Sequence, residues 1–151
     1  MDPIEINAGT YYLRQLRADD LLDDRIPLRA NGFPDPTEHM AARADGWRTE
    51  TAYTWAIAEP TTGVLLGEVG LADVNGDTAR AICWVLPDRR GSGIARVALG
   101  SVLRFGFGAL NLRTIDWTHP IGNTAAALLA ATLGWTRIDE FAGQLRWRAT
   151  G

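Results

Sequence analysis

No lysine occurs anywhere in this chain; all fifteen basic residues are arginine. That excludes a phosphate loop ending in Gly-Lys-Ser or Gly-Lys-Thr, and the uniform arginine usage itself reads as coding bias rather than chemistry. Cysteine is almost as scarce. Cys83 stands alone, so an internal disulfide and a cysteine-based metal cluster are both ruled out, and no metal site is expected. With no basic partner beside it, Cys83 reads as a small buried hydrophobe. No apolar run approaches the roughly 20 residues that cross a bilayer, and the opening MDPIEI lacks a signal peptide's basic start and apolar core. A cytoplasmic protein with no membrane partner is expected. The net charge is only −3 and the charges are scattered; without a broad basic surface, nucleic acid is not an expected partner.

What is present suits one domain over residues 1–151: 46% of the residues are hydrophobic, enough for one core and one main cleft. Thr10 to Arg17 reads as a strand, and Asp19 and Asp20 offer oxygens to start a short helix. Residues 30–36, with Asn31, Gly32, Pro34 and Pro36, form a loop, after which Thr37 caps a second helix running to about Arg48. From Thr51 the period changes to that of strands. TAYTWAIAE, VLLGEVGLADV and TARAICWVL, separated by PTTG and NGD, predict three consecutive antiparallel strands. IARVALGSVLRFGFGAL then predicts a helix largely buried against the sheet. A strand over Leu112 to Thr118, a helix from Asn123 to Leu133 ended by Gly134, and a hairpin of Trp135 to Phe141 with Gln144 to Thr150 complete the chain. The tally is six to seven strands and four helices, an α/β (α+β) arrangement around a mixed sheet.

A strand that enters a glycine-rich turn and then a helix presents unpaired backbone N–H groups and the positive end of the helix dipole. Such a site attracts phosphate. Here Gly91, Ser92 and Gly93 precede Ile94 and Ala95, while Arg89 and Arg90 add guanidinium groups able to pair with a diphosphate. A dinucleotide fingerprint would need a third glycine where Arg96 stands.

The run Arg90-Gly91-Ser92-Gly93-Ile94-Ala95 resembles the acetyl-CoA loop of the GNAT N-acetyltransferase superfamily, Gln/Arg-x-x-Gly-x-Gly/Ala. The longer stretch WVLPDRRGSGIA is similar to the branch containing ribosomal-protein-alanine acetyltransferases. Asn123 followed by Leu133-Gly134-Trp135 keeps the spacing of a second family motif, and the likeness covers roughly residues 51–136. The resemblance implies a mixed sheet splayed at its middle, with the pantetheine arm of acetyl-CoA in the gap beside Trp84, Val85 and Leu86. It also implies a diphosphate held by the loop Arg89 to Ala95, with Asn123 facing the same cofactor. The activity implied is acetyl transfer to a primary amine, either a protein N-terminus or a small molecule, by direct attack in a ternary complex, and a homodimer is the assembly implied.

In the family, an oxyanion donor comes from the backbone of the central strand, which here means Cys83 to Val85. The family's proton-handling groups are missing: a serine or tyrosine expected on the last helix falls at Ala126 and Ala130, and a strand glutamate falls at Arg80. Positioning alone supplies about 7–11 kcal/mol of a barrier, against about 10²–10⁴-fold for one acid or base, so their loss does not rule out transfer. Glu68, on the strand beside the central one, and His119, in the loop after the following strand, are the candidate proton acceptors. The alternative left open by Ala126 and Ala130 is a degenerate acyl-CoA-binding sensor or scaffold.

Overall fold

Chain reversals at Gly63 and Gly76, both at positive φ, a conformation in which glycine carries no steric cost, fold the middle of the sequence into a meander. The computed structural model describes residues 1–151. In chain order the elements are β1 (Ile6–Asn7), β2 (Tyr12–Arg14), α1 (Arg25–Ala30), α2 (Pro36–Thr49), β3 (Tyr53–Ala58), β4 (Leu65–Asn75) and β5 (Thr78–Val85). A short 3₁₀ turn over Pro87–Arg89 leads to α3 (Ile94–Gly108), β6 (Thr114–Pro120), α4 (Thr124–Thr132), β7 (Thr136–Phe141) and β8 (Gln144–Thr150). One sheet holds all eight strands in the order β1-β2-β3-β4-β5-β6-β8-β7.

The eighth strand is β1, two residues that pair with β2 through Ile6 and Leu13; a segment that short has no detectable period. Asp19 accepts the N–H groups of Leu21 and Leu22 in a turn, so the first helix starts later than expected, at Arg25. Asp35, rather than Thr37, caps α2: its side chain accepts the Glu38 N–H, with Pro36 in the first turn, where the missing proline N–H is not needed. The strand expected at Leu112–Thr118 is displaced to Thr114–Pro120, which brings His119 into β6.

On one face of the sheet, Val69 and Leu71 of β4 and Ala81 and Val85 of β5 share a core with Ile94, Ala98, Leu99 and Val102 of α3. Each large aliphatic side chain fully buried there contributes about 1.5–3 kcal/mol. On the other face, Leu28 of α1, Ala56 and Leu65 are buried with Phe33, Met40 and Trp84 packed on them. Every strand pair is antiparallel except β5–β6, which is parallel and spans only Thr78 to Arg80 against Thr114 to Asp116. Beyond Arg80, β5 stays with β4 as far as Val85 and β6 stays with β8 as far as Pro120. The sheet therefore opens into a wedge between the ends of β5 and β6.

Candidate active site

The wedge is continuous with a cavity of about 590 Å³ walled by the end of β5, the loop before α3, the first turn of α3, Trp117 of β6 and the apolar side of α4. Leu86 N–H donates to Leu66 O at 2.8 Å, and Glu68 lies opposite Trp84, Gly67 opposite Val85. Alternation along an antiparallel ladder then turns the Trp84 backbone groups toward β4 and those of Cys83 and Val85 toward the wedge. Arg90 agrees with this, because its Nε donates to the Val85 carbonyl at 3.2 Å from the loop side.

Gly91 and Gly93 both sit at φ +82°. A Cβ on Gly91 would meet nothing within 4 Å, and one on Gly93 only the tip of Arg96; positive φ, not crowding in this state, is what demands glycine. Gly93 is the N-cap of α3 and supplies no side-chain acceptor, and the first turn carries no acidic residue. The positive end of this helix is thus uncompensated and faces the cavity. Arg89, Arg90 and Arg96 all line the cavity, and none of the three forms a salt bridge. Three guanidinium groups without a carboxylate partner, of which Arg90 alone spends a donor on the Val85 carbonyl, and a bare helix terminus make this a strongly anion-attracting wall.

Of the residues singled out in sequence, Trp84, Val85, Arg89, Arg90, Gly91, Gly93, Ile94, Ala95 and Asn123 meet at this cavity. Leu86 and Ser92 do not line it. Leu86 is committed to the β4 ladder, and the Ser92 hydroxyl donates to the Arg89 carbonyl at 2.6 Å, bracing the loop from within. Asn123 caps α4 by accepting the Ala126 N–H at 3.1 Å. Ala126 forms part of the cavity wall and Ala130 is buried beneath it, so no side-chain hydroxyl stands at either position. Cys83 is free, and burial pushes its thiol up to about 12, leaving no thiolate.

The two candidate proton acceptors fare differently. His119 is not in a loop: it is buried inside β6, its Nδ1–H donates to the Pro120 carbonyl at 2.8 Å and its Nε2 accepts the Trp147 indole N–H at 3.0 Å. Both ring nitrogens are occupied, so His119 has no lone pair to offer a substrate. Glu68 is not an outward-facing charge either; it is 1% exposed. Its Oε2 accepts from His39 Nε2 at 2.7 Å and from the Trp84 indole at 2.9 Å, and its Oε1 accepts from Arg43 Nε at 3.2 Å. Burial pushes the carboxyl up, but the His39 hydrogen bond and the Arg43 guanidinium outweigh it and hold Glu68 below the usual carboxylate range. Glu68 is therefore a fixed anion. His39, Arg43 and Arg96 are members of these two clusters that sequence reasoning missed; no local pattern joins His39 to a glutamate 29 positions away.

A half-open mixed sheet whose central strand ends at an anion-attracting loop, with free backbone N–H groups in its wedge, is suited to hold an acyl thioester and stabilise its oxyanion, the chemistry of an acyl-group transferase. Residues 11–136 match the family model described as acetyltransferase (GNAT) domain, and the chain belongs to the GNAT acetyltransferase family. Its fold superposes on a Vibrio cholerae protein assigned as a ribosomal-protein-serine acetyltransferase, with a TM-score of 0.84 at 18% identity over 100% of both chains. An acetyltransferase from Agrobacterium tumefaciens str. C58 gives 0.80 at 18% identity, covering 100% of this chain and 96% of that one. A dodecameric spermidine N-acetyltransferase from Vibrio cholerae gives 0.76 at 20% identity over 94% of each. No curated protein matches the chain at a significant level.

Proposed function

We propose that this acetyltransferase moves an acetyl group from acetyl-CoA to a primary amine, on a protein N-terminus or a small molecule, within a ternary complex. The observation that carries this is the wedge: β5 and β6 stop pairing at Arg80 and Asp116, which leaves the Cys83 and Val85 N–H groups facing a cavity of about 590 Å³. A pantetheine arm laid there would hydrogen-bond as a strand does. The diphosphate would rest on the N-terminus of α3 among Arg89, Arg90 and Arg96, with the thioester near Cys83 and Val85, where a backbone N–H stabilises the oxyanion. No metal is needed for this chemistry. The second reading is binding of acyl-CoA without transfer, favoured by the missing hydroxyls at Ala126 and Ala130.

The test is a thermal-shift titration with acetyl-CoA against ATP and NAD, followed by free-thiol release with amines present. A ligand at 100 times its dissociation constant stabilises by about 2.7 kcal/mol, roughly 5–10 °C for a domain of this size. A shift with acetyl-CoA alone, then thiol release on adding an amine, is expected. A shift without release supports the sensor, and no shift removes both readings. Light scattering on the same sample reads the homodimer that the family likeness suggests.

A further inference from the structure

On the face of the sheet opposite α3 lies a second cleft of about 360 Å³, walled by Phe33, Pro34, Asp35, Glu38, His39 and Ala42. His39 stands at its inner end, its side chain 15% exposed, with Nε2 bound to Glu68 and no protein hydrogen bond to Nδ1. The Phe33 ring packs 4.3 Å from the His39 ring and 5.3 Å from Trp84. Trp84 in turn donates to the same Glu68 oxygen that binds His39 and also forms part of the cofactor cavity wall. Trp84 thus stands between the two, lining the cavity while its ring packs on Phe33 of the cleft, and one buried carboxylate links an imidazole to the strand that carries the proposed thioester site.

Resting on the proposed acetyl transfer, we infer that this cleft admits the acceptor as a cationic primary amine and that His39 is the base that deprotonates it, positioned by Glu68. A neutral imidazole whose Nε2–H donates to a fixed carboxylate keeps its Nδ1 lone pair free, an arrangement in which the carboxylate sets the tautomer and stabilises the imidazolium. His39 Nδ1 takes a proton from R–NH₃⁺. The freed amine attacks the thioester carbon, a C–N bond forms, the C–S bond breaks, and the thiolate leaves with the second amine proton. The imidazolium then returns its proton to water. Charged groups facing His39 are Glu68 from β4, Arg43 one turn along α2, and Asp35 and Glu38 around the cleft. The last two favour an acceptor arriving as an ammonium ion.

The experiment pairs the pH dependence of kcat/KM with acetyl-CoA thermal shifts for wild type, His39→Gln and Glu68→Gln. Wild type is expected to lose kcat/KM as pH falls and the base is protonated. His39→Gln is expected to lose about 10²–10⁴-fold and to lose that acidic limb, with its acetyl-CoA shift unchanged. Glu68→Gln keeps the limb but moves it to lower pH, because the imidazolium has lost its anionic partner; a merely structural pair would move neither limb. His39→Gln turning over within about threefold of wild type with the limb intact overturns the inference while acetyl transfer stands. Wild type that binds acetyl-CoA and accepts no amine overturns acetyl transfer itself, and the base with it. Should both variants fail to fold, ¹⁵N-histidine NMR of the wild type decides: Nε2–H on His39 supports the base, and an Nδ1–H tautomer removes it.

Discussion

Trp147 on β8 donates its indole N–H to Nε2 of His119 on β6 at 3.0 Å, while His119 Nδ1–H is held by the Pro120 carbonyl at 2.8 Å. This locks a buried imidazole in one neutral tautomer across the β6–β8 ladder. Replacing His119 with alanine strands an indole N–H and opens space between the strands. A stability loss of about 1–3 kcal/mol in urea unfolding is expected, with turnover per folded molecule kept within a few fold. A loss of turnover much larger than the loss of folded protein would reinstate His119 as a group that acts on substrate.

Gly93→Glu puts a carboxylate into the anion site and a side chain at φ +82°. Acetyl-CoA binding by calorimetry is expected to disappear, with circular dichroism unchanged. Arg90→Ala removes one guanidinium and its hold on the Val85 carbonyl, for about 1.5–3 kcal/mol, or roughly 10- to 150-fold in affinity. Native affinity in both variants would move the cofactor elsewhere.

Arg14 and Asp24 form a doubly hydrogen-bonded pair at 2.7 and 2.9 Å, buried at 4% and 2% exposure. Asp24 also accepts the Arg17 N–H at 2.6 Å, tying α1 to β2. Asp24→Ala leaves a buried guanidinium without its counter-charge and is expected to cost about 3–5 kcal/mol, read as a fall in the denaturant midpoint. A change below about 1 kcal/mol would mean that Arg14 finds solvent or another acceptor.

Cys83 has its thiol raised from 9.0 to about 12 by burial. Since the folded form holds its proton more tightly than the unfolded chain, this group's contribution to stability is fully present below pH 9 and is lost as pH rises toward 12. At pH 8 the native protein is expected to leave a thiol reagent uncoloured for minutes and to react with one equivalent in guanidinium. Prompt labelling of the native state would mean that the thiol, which borders the cavity, ionises more readily than its raised pKa implies. Glu68 carries the opposite sign: its lowered carboxyl supports the fold above its unfolded value and fails as pH falls through the folded one.

Legibility from the sequence followed distance along the chain. The meander could be read because its reversals carry Gly63 and Gly76 within a few residues of alternating apolar runs, and the loop because Arg89 to Gly93 is contiguous. The end of β5 could be placed beside that loop for the same reason. His39 could not be paired with Glu68, nor Glu68 with Trp84, because only tertiary packing of α2 over β4 and β5 makes them neighbours. The cap of α2 was missed by two residues because a proline after Asp35 reads equally as loop punctuation and as a first helical residue. His119 was misplaced when a strand end slipped by two positions, and burial in β6 turned an expected surface imidazole into an interior one.

The parallel seam between β5 and β6 is three residue pairs long. Mechanically, the sheet is two plates riveted at one corner: β1 to β5 on one side, β6 to β8 on the other. Few backbone bonds resist their relative twist, and a guest lying in the wedge would bond to one plate while touching the other. Amide exchange at Cys83 and Val85, measured with and without acetyl-CoA, tests this: slower exchange with the guest is expected, and equal exchange would mean that the shared core alone holds the plates together.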